Sequence, residues 1–397
     1  MPDGLRVVVG GYLVRAPLGG QAWHYLQFLV GLAALGHEVL YVEDSHFFED
    51  DEQEWYFDPG AGTSGVDPAP GMRFVQEALT RFGLEDQWAF YEASTHRWHG
   101  PASTRAVQCC EGADLFVNVS GVNPVRPWLA GVPHRLFVDT DPCFTQIRLL
   151  GNPINRRHAL QHNRFATFGE NIPAGKSVLP LDTFPWFATR QPVVLEAWPV
   201  SPGRPDAPLT TVMAWQTYGP LEHEGRGYGV KADSFEPFFD LPRRRGETFE
   251  LSLGGDQAPR QRLRRCGWRV LDRGPMTLDA YQEYLASSRA EFGIAKAGYV
   301  ESASGWFSER SAAYLASGRP AVVQSTGFEE WLPAGLGVLS FATPADAIST
   351  LDDLAARYAQ HCRASRELVA EYFDHRVVLA RLVEQALATP RAAEQMP

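Results

Sequence analysis

Short apolar runs, each followed by a stretch with helical spacing, recur along the whole chain. Leu5 to Val9 is too uniformly apolar to leave one face in water, which marks a buried parallel strand. A loop punctuated by Gly10-Gly11 and Gly19-Gly20 follows, and the spacing then predicts a helix from about Gln21 to Leu35, stopped by Gly36-His37. Glu38 to Val42 reads as the next strand, completing a βαβ unit. Residues 44–70 are acidic, aromatic and rich in Gly and Pro, and read as a long excursion. Helical spacing returns over Met72 to Phe82 and Ser103 to Cys110, and strands are predicted at Leu115 to Val119, Arg135 to Asp139 and Phe165 to Phe168.

Between Pro185 and Pro208 prolines are dense, as expected of an interdomain linker. The alternation then restarts, with strands predicted at Thr210 to Trp215, Phe249 to Leu253, Trp268 to Leu271, Glu291 to Ala295 and Ala321 to Gln324. Asp346 to Ala386 reads as largely helical, with a break near Tyr372 to His375. The expected class is α/β with two parallel-sheet halves and a cleft between them. The expected division is an N-terminal domain over 1–190, a linker over 191–208, a C-terminal domain over 209–372, and a returning helix over 373–397.

A chain of 397 residues is long enough for two cores. Its net charge of −11 argues against a nucleic-acid partner, since phosphate contacts need a concentrated basic surface, but leaves room for an anion in a local basic pocket. The five cysteines are scattered with no CxxC pair or Cys/His cluster, so no metal and no disulfide framework is expected. Strand pattern begins almost at once, and no apolar stretch approaches a membrane span. The expectation is a cytoplasmic protein without signal peptide or transmembrane segment.

The most chemical stretch runs from Ser304 to Gln324. Ser308 can cap a helix with apolar residues at 312, 313, 315 and 316, Gly318 ends it before Arg319-Pro320, and a buried strand follows. A helix start with free backbone N–H groups, and with Arg310 and Ser311 in its first turn, is an anion site; the alternative is an ordinary capped helix with a solvated arginine. Lys296, after a strand end, faces the same cleft or forms a surface salt bridge. The segment Gly225 to Lys231 is a glycine-rich loop able to cradle phosphate through backbone N–H groups.

The core formed by Ser308, Arg310, Ser311, Tyr314, Leu315, Ala316, Gly318, Arg319 and Pro320 resembles that of GT-B glycosyltransferases, more narrowly the group-1-like bacterial ones. The likeness is strongest from about Gly293 to Leu339. It implies a GT-B fold with two Rossmann-like domains and a C-terminal helix crossing back to the first. It also implies transfer of a sugar from a nucleotide-diphosphate sugar, UDP- or dTDP-linked, to a small-molecule acceptor, without metal or other cofactor. The residues it implies for the donor are Gly305, Ser308, Glu309, Arg310, Ser311, Lys296, Lys231, Gln324, Thr326 and Gly327. Ser325 is neutral where an acidic residue often stands. Glu301 and Glu309 have the separation of the paired glutamates of retaining members, but aligning on Gly318-Arg319-Pro320 puts Ala313 at the second, so the pair does not fix stereochemistry.

An enzyme of this kind needs a group to take the acceptor proton. His24, Asp139 and Asp141 are the candidates, each near the carboxyl end of a predicted strand or in the helix after it. The alternatives are a histidine packed between Trp23 and Tyr25, and aspartates that cap a helix. Other readings of the same fold are a sugar-nucleotide epimerase, a pseudo-glycosyltransferase or a non-catalytic carbohydrate binder. An NAD-dependent oxidoreductase fits poorly, because Gly10 to Arg15 is not G-x-G-x-x-G.

Overall fold

The computed structural model describes residues 4–48, 51, 53–180, 183–215, 218–255 and 258–388. The strands of the N-terminal sheet lie in the order Trp186–Ala188, Arg164–Thr167, His134–Asp139, Leu115–Val119, Arg6–Gly10, Glu38–Asp44, Trp88–Glu92 and Arg97–His99. All neighbours are parallel except the last pair, where Arg97–His99 turns back against Trp88–Glu92. The C-terminal sheet runs Arg269–Val270, Phe249–Gly254, Leu209–Ala214, Ala290–Gly293, Ala321–Gln324 and Val338–Phe341, parallel throughout. Among the described residues no strand pairs one sheet with the other.

Each sheet reverses its strand order once. In the first, Arg6–Gly10 lies beside Leu115–Val119, and in the second, Leu209–Ala214 lies beside Ala290–Gly293. Loops leaving two such neighbours diverge and open a crevice at the strands' carboxyl ends. That places Ser120 on one side of the molecule's central cleft, and Lys296 and its neighbours on the other.

The helix Gly19–Ala34 lies on the first sheet, and the last helix, His375–Leu387, crosses back onto it. The preceding helix, Tyr358–Tyr372, stops where Asp374 accepts from Arg376 N and where Val193 exchanges backbone hydrogen bonds with Phe373 and His375. Three features depart from the sequence reading. The excursion at 44–70 holds a hairpin, Tyr56–Asp58 with Thr63–Gly65. The strand Trp88–Glu92 and the edge strands Arg97–His99, Trp186–Ala188 and Val338–Phe341 were not anticipated. The glycine-rich segment before Lys231 is also a hairpin, Leu221–His223 with Arg226–Tyr228, whose turn puts Glu224 and Gly225 at φ 49° and 76°. Gly225 therefore serves the turn of this hairpin, a structure the sequence reading did not anticipate.

Gly31 is where the two helices meet. A Cβ there would lie 2.5 Å from Leu379 Cδ1 and 3.0 Å from His375 Cβ. Gly31→Val should therefore lower the urea midpoint, by a stability loss of ~1–3 kcal/mol for an overpacked contact. An unchanged midpoint would mean that this helix crossing is not tight.

Candidate active site

On the C-terminal side, Ser308 caps the helix Glu309–Ala316, its hydroxyl accepting from Arg310 N at 3.2 Å. Arg310 does not project into solvent. Its Nε donates to Glu291 Oε1 at 2.6 Å and its Nη1 to Val212 O at 3.0 Å. Burial opposes its charge, but Glu291 and Glu309 outweigh that and hold it protonated. Ser308, Arg310, Ser311, Gln324 and Thr326 together line a narrow cavity of about 20 Å³ at the sheet's carboxyl end.

Lys231 opens the short helix Lys231–Phe235 and is buried. Among the described residues its ammonium has neither a hydrogen bond nor an ion pair within 4 Å. Burial first, then repulsion from Arg310 and Lys296, lowers its pKa to about 7, with Glu309 and Glu291 offsetting part of this. Lys296 does have a partner, across the cleft. Its Nζ donates to Asp141 Oδ1 at 2.7 Å and to the Tyr218 hydroxyl.

Asp141 is saturated. Beyond Lys296, its Oδ1 accepts from Tyr299, and its Oδ2 from Tyr218 at 2.5 Å and from Arg148 at 3.4 Å. Burial works to raise its pKa, but Lys296 and the two phenols hold it below the usual carboxylate value. Asp139 is likewise engaged, accepting from Gln146, Thr167 and the backbone N–H of Asp141 at 2.7–2.9 Å. Burial raises its pKa. Both aspartates therefore hold several elements together through their hydrogen bonds.

His24 differs. Its Nδ1 is 2.5 Å from Gln191 Oε1 and its Nε2 is 3.4 Å from Ser120 Oγ, with Tyr25, Phe28 and Phe168 around the ring. Burial lowers its pKa, opposed by Glu309 and the Gln191 hydrogen bond, so the imidazole is neutral near pH 7. Glu309 lies within electrostatic range of both His24 and Lys231. Beside them opens a cavity of about 600 Å³, lined by Phe47, Phe48, Ser120, Phe137, Arg148, His158 and Tyr218 among others.

Gly305 and Gly327 have a different neighbour from the one expected. The Asn171 side chain donates to Ala303 O and Gly327 O at 3.0 and 2.9 Å, and its backbone N to Ser304 O. A Cβ on Gly305 or Gly327 would come within 2.8 Å of that side chain. Gly19 and Gly20 are similarly met by Thr277 and Tyr281. Sequence reasoning missed Asn171, Gln191, Ser120 and Glu291. Only Glu291, a charge inside a buried strand, left a visible signal.

Among the described residues no group of acidic, His or Cys side chains is placed to hold a metal, and no helix is long and apolar enough to cross a membrane. No protein-family description matches the chain, and no curated protein matches it significantly. Solved structures do. An α-glucosyltransferase in complex with UDP and a mismatched DNA is 10% identical and aligns over 98% of this chain and 100% of its own, at a TM-score of 0.57. HepE from Anabaena, in complex with UDP and glucose, is 10% identical over 97% and 100%, at 0.58.

The chain has the GT-B fold. Sucrose-phosphate synthase from Thermosynechococcus elongatus extends the likeness, at 11% identity over 95% of this chain and 97% of its own, with a TM-score of 0.50. Identities this low carry the GT-B architecture but not a substrate. The expectation that nucleic acid is excluded gains no support, since one of these GT-B proteins was solved on DNA.

In this GT-B chain Asp141 is a half-buried charged tie between the halves, beside the more exposed pairs Arg81–Asp279 and Lys176–Glu330. Its folded pKa is depressed, so its contribution is full above the unfolded value of ~3.9 and is lost as pH falls through the lower folded value. Asp141→Asn should cost ~1–3 kcal/mol at pH 7 by leaving Lys296 without its ion partner. The gap from wild type in urea titrations should close below about pH 4. A gap independent of pH would mean the carboxylate charge is not what matters.

Proposed function

We propose that the chain is a glycosyltransferase, with residues 209–372 holding a nucleotide-diphosphate sugar and residues 1–190 the acceptor. The observation that carries this reading is Lys231, a largely buried side chain whose ammonium has no carboxylate in contact, within electrostatic range of Arg310 and of Glu309 at the start of the helix Glu309–Ala316. Burying a charge is costly unless an opposite charge arrives, and a diphosphate supplies it. UDP is favoured as the nucleotide, being the one bound in the α-glucosyltransferase and HepE structures.

His24 is the base in this reading. It takes the acceptor proton as the acceptor oxygen bonds to the anomeric carbon. The bond from that carbon to the diphosphate breaks, and its electron pair leaves with the diphosphate. Lys231, Arg310 and the helix N–H groups neutralise the developing charge, a role a divalent cation plays in other transferases. The 600 Å³ cavity on the N-terminal side is of the size that encloses a small molecule. Its one arginine, Arg148, is already held by Asp141 and stacked on Tyr218. That favours a small-molecule acceptor over a polyanionic one.

UDP at 100 times its dissociation constant should stabilise the chain by ~2.7 kcal/mol, read as a shift in thermal midpoint. Lys231→Met should weaken UDP binding ~10–100-fold, from loss of a charge-assisted contact, while the free protein gains stability because a buried charge is gone. Unaltered UDP affinity in that variant, or no stabilisation of the wild type by any nucleotide sugar, contradicts the assignment.

A further inference from the structure

We infer that Ser120 is a catalytic residue: it receives the acceptor's proton while passing its own to His24 Nε2, and Gln191 is the positioning residue that fixes the required tautomer. This rests on the glycosyl-transfer reading of the cleft.

The hydrogen-bond inventory decides the proton's place. Gln191, buried at 1% exposure, donates its amide N–H groups to His24 O at 3.2 Å and Pro192 O at 3.1 Å. Two carbonyls can only accept, so the amide nitrogen faces them and Oε1 faces the imidazole. Nδ1 must then carry the hydrogen, donated to Oε1 at 2.5 Å, and Nε2 of the neutral ring is left as an acceptor. The group facing that lone pair is Ser120 Oγ at 3.4 Å.

Ser120 also lines the large cavity; its oxygen accepts from the Tyr25 hydroxyl at 3.4 Å and is 2.7 Å from Thr140 Oγ1, which donates to it when the serine proton points at His24. It therefore stands between a buried base and the space where an acceptor binds. Its backbone is unusual: Ser120 has φ 62° and Gly121 φ 60°. A residue with a Cβ in that region is strained, yet a serine occupies it, and the kink turns its hydroxyl toward His24.

The step balances. The acceptor O–H proton moves to Ser120 Oγ as the serine proton moves to His24 Nε2, giving an imidazolium. The acceptor oxygen bonds to the anomeric carbon, and the diphosphate leaves with the electron pair of the broken C–O bond. The imidazolium then returns its proton to water.

Ser120→Gly removes the hydroxyl at a position whose φ suits glycine, so the fold should keep or raise its thermal midpoint and UDP affinity should hold. UDP release from UDP-glucose should fall ~10²-fold, by a similar factor in His24→Gln, and no further in the double variant, because the two act as one unit. Near-normal turnover in Ser120→Gly, or two losses that multiply, overturns the relay.

The tautomer is read without turnover, from ¹⁵N chemical shifts of His24 in the full chain. A protonated Nδ1, with an Nε2 resonance that moves in Ser120→Gly, supports the relay. A protonated Nε2 overturns it. A wild type that turns over no nucleotide sugar counts against the glycosyl-transfer reading, while the shifts still judge the Gln191–His24–Ser120 geometry.

Discussion

Three cations gather at the carboxyl end of the second sheet, Arg310 and Lys231 buried and Lys296 half-buried, and two of them have a carboxylate in contact. Arg310 is answered by Glu291 from the neighbouring strand, and Lys296 by Asp141 from the opposite half. Lys231 is the remaining one, and its lowered pKa is the signature of a charge that the fold leaves under-compensated. A methionine at this position is expected to make the folded chain more stable, since no carboxylate in contact offsets the desolvation of the ammonium. In the glycosyl-transfer reading an arriving diphosphate supplies the missing opposite charge, and the N-terminus of the helix Glu309–Ala316 offers it backbone donors as well.

The same region binds the halves to each other. Asn171 reaches from the first half into the backbone at Ala303 and Gly327, while Asp141 draws Lys296, Tyr218 and Tyr299 across. Glycines at 19, 20, 305 and 327 are small because the other half lies against them. The consequence for chemistry is geometric. In the proposed reading His24, the base, belongs to the first half and Lys231 and Arg310, the diphosphate holders, to the second, with Glu309 within electrostatic reach of His24 and Lys231.

The architecture was legible because buried parallel strands need continuous apolar runs, and Leu5 to Val9, Leu115 to Val119 and Ala321 to Gln324 are such runs. Edge elements such as Arg97–His99 were not legible: a strand of three residues with one pairing partner has no periodicity to read. At the site, Ser308, Arg310 and Lys231 stood out by residue type and position. The aspartates at 139 and 141 stood out equally, and only their partners distinguish them. Those partners, Thr167, Tyr218, Lys296 and Tyr299, lie 28 to 158 positions away. The packing of Asn171 against Gly305 and Gly327 was not legible for the same reason, since Asn171 is remote in sequence. Gln191 and Ser120 carry no motif, and what singles them out is the direction of hydrogen bonds around His24.

The central claim, that Lys231 awaits a diphosphate, predicts proton uptake on binding. Near pH 8 the free ammonium, with a pKa of about 7, is largely deprotonated. A bound diphosphate favours the charged form and raises that pKa. Titration calorimetry of UDP-glucose, whose diphosphate has no group titrating in this range, should be run at pH 8 in buffers of different ionisation enthalpy. The account predicts that the apparent enthalpy depends on the buffer with about one proton taken up per site, and that Lys231→Met abolishes the dependence. Binding of wild type with no proton uptake, or with uptake that persists in Lys231→Met, would contradict it.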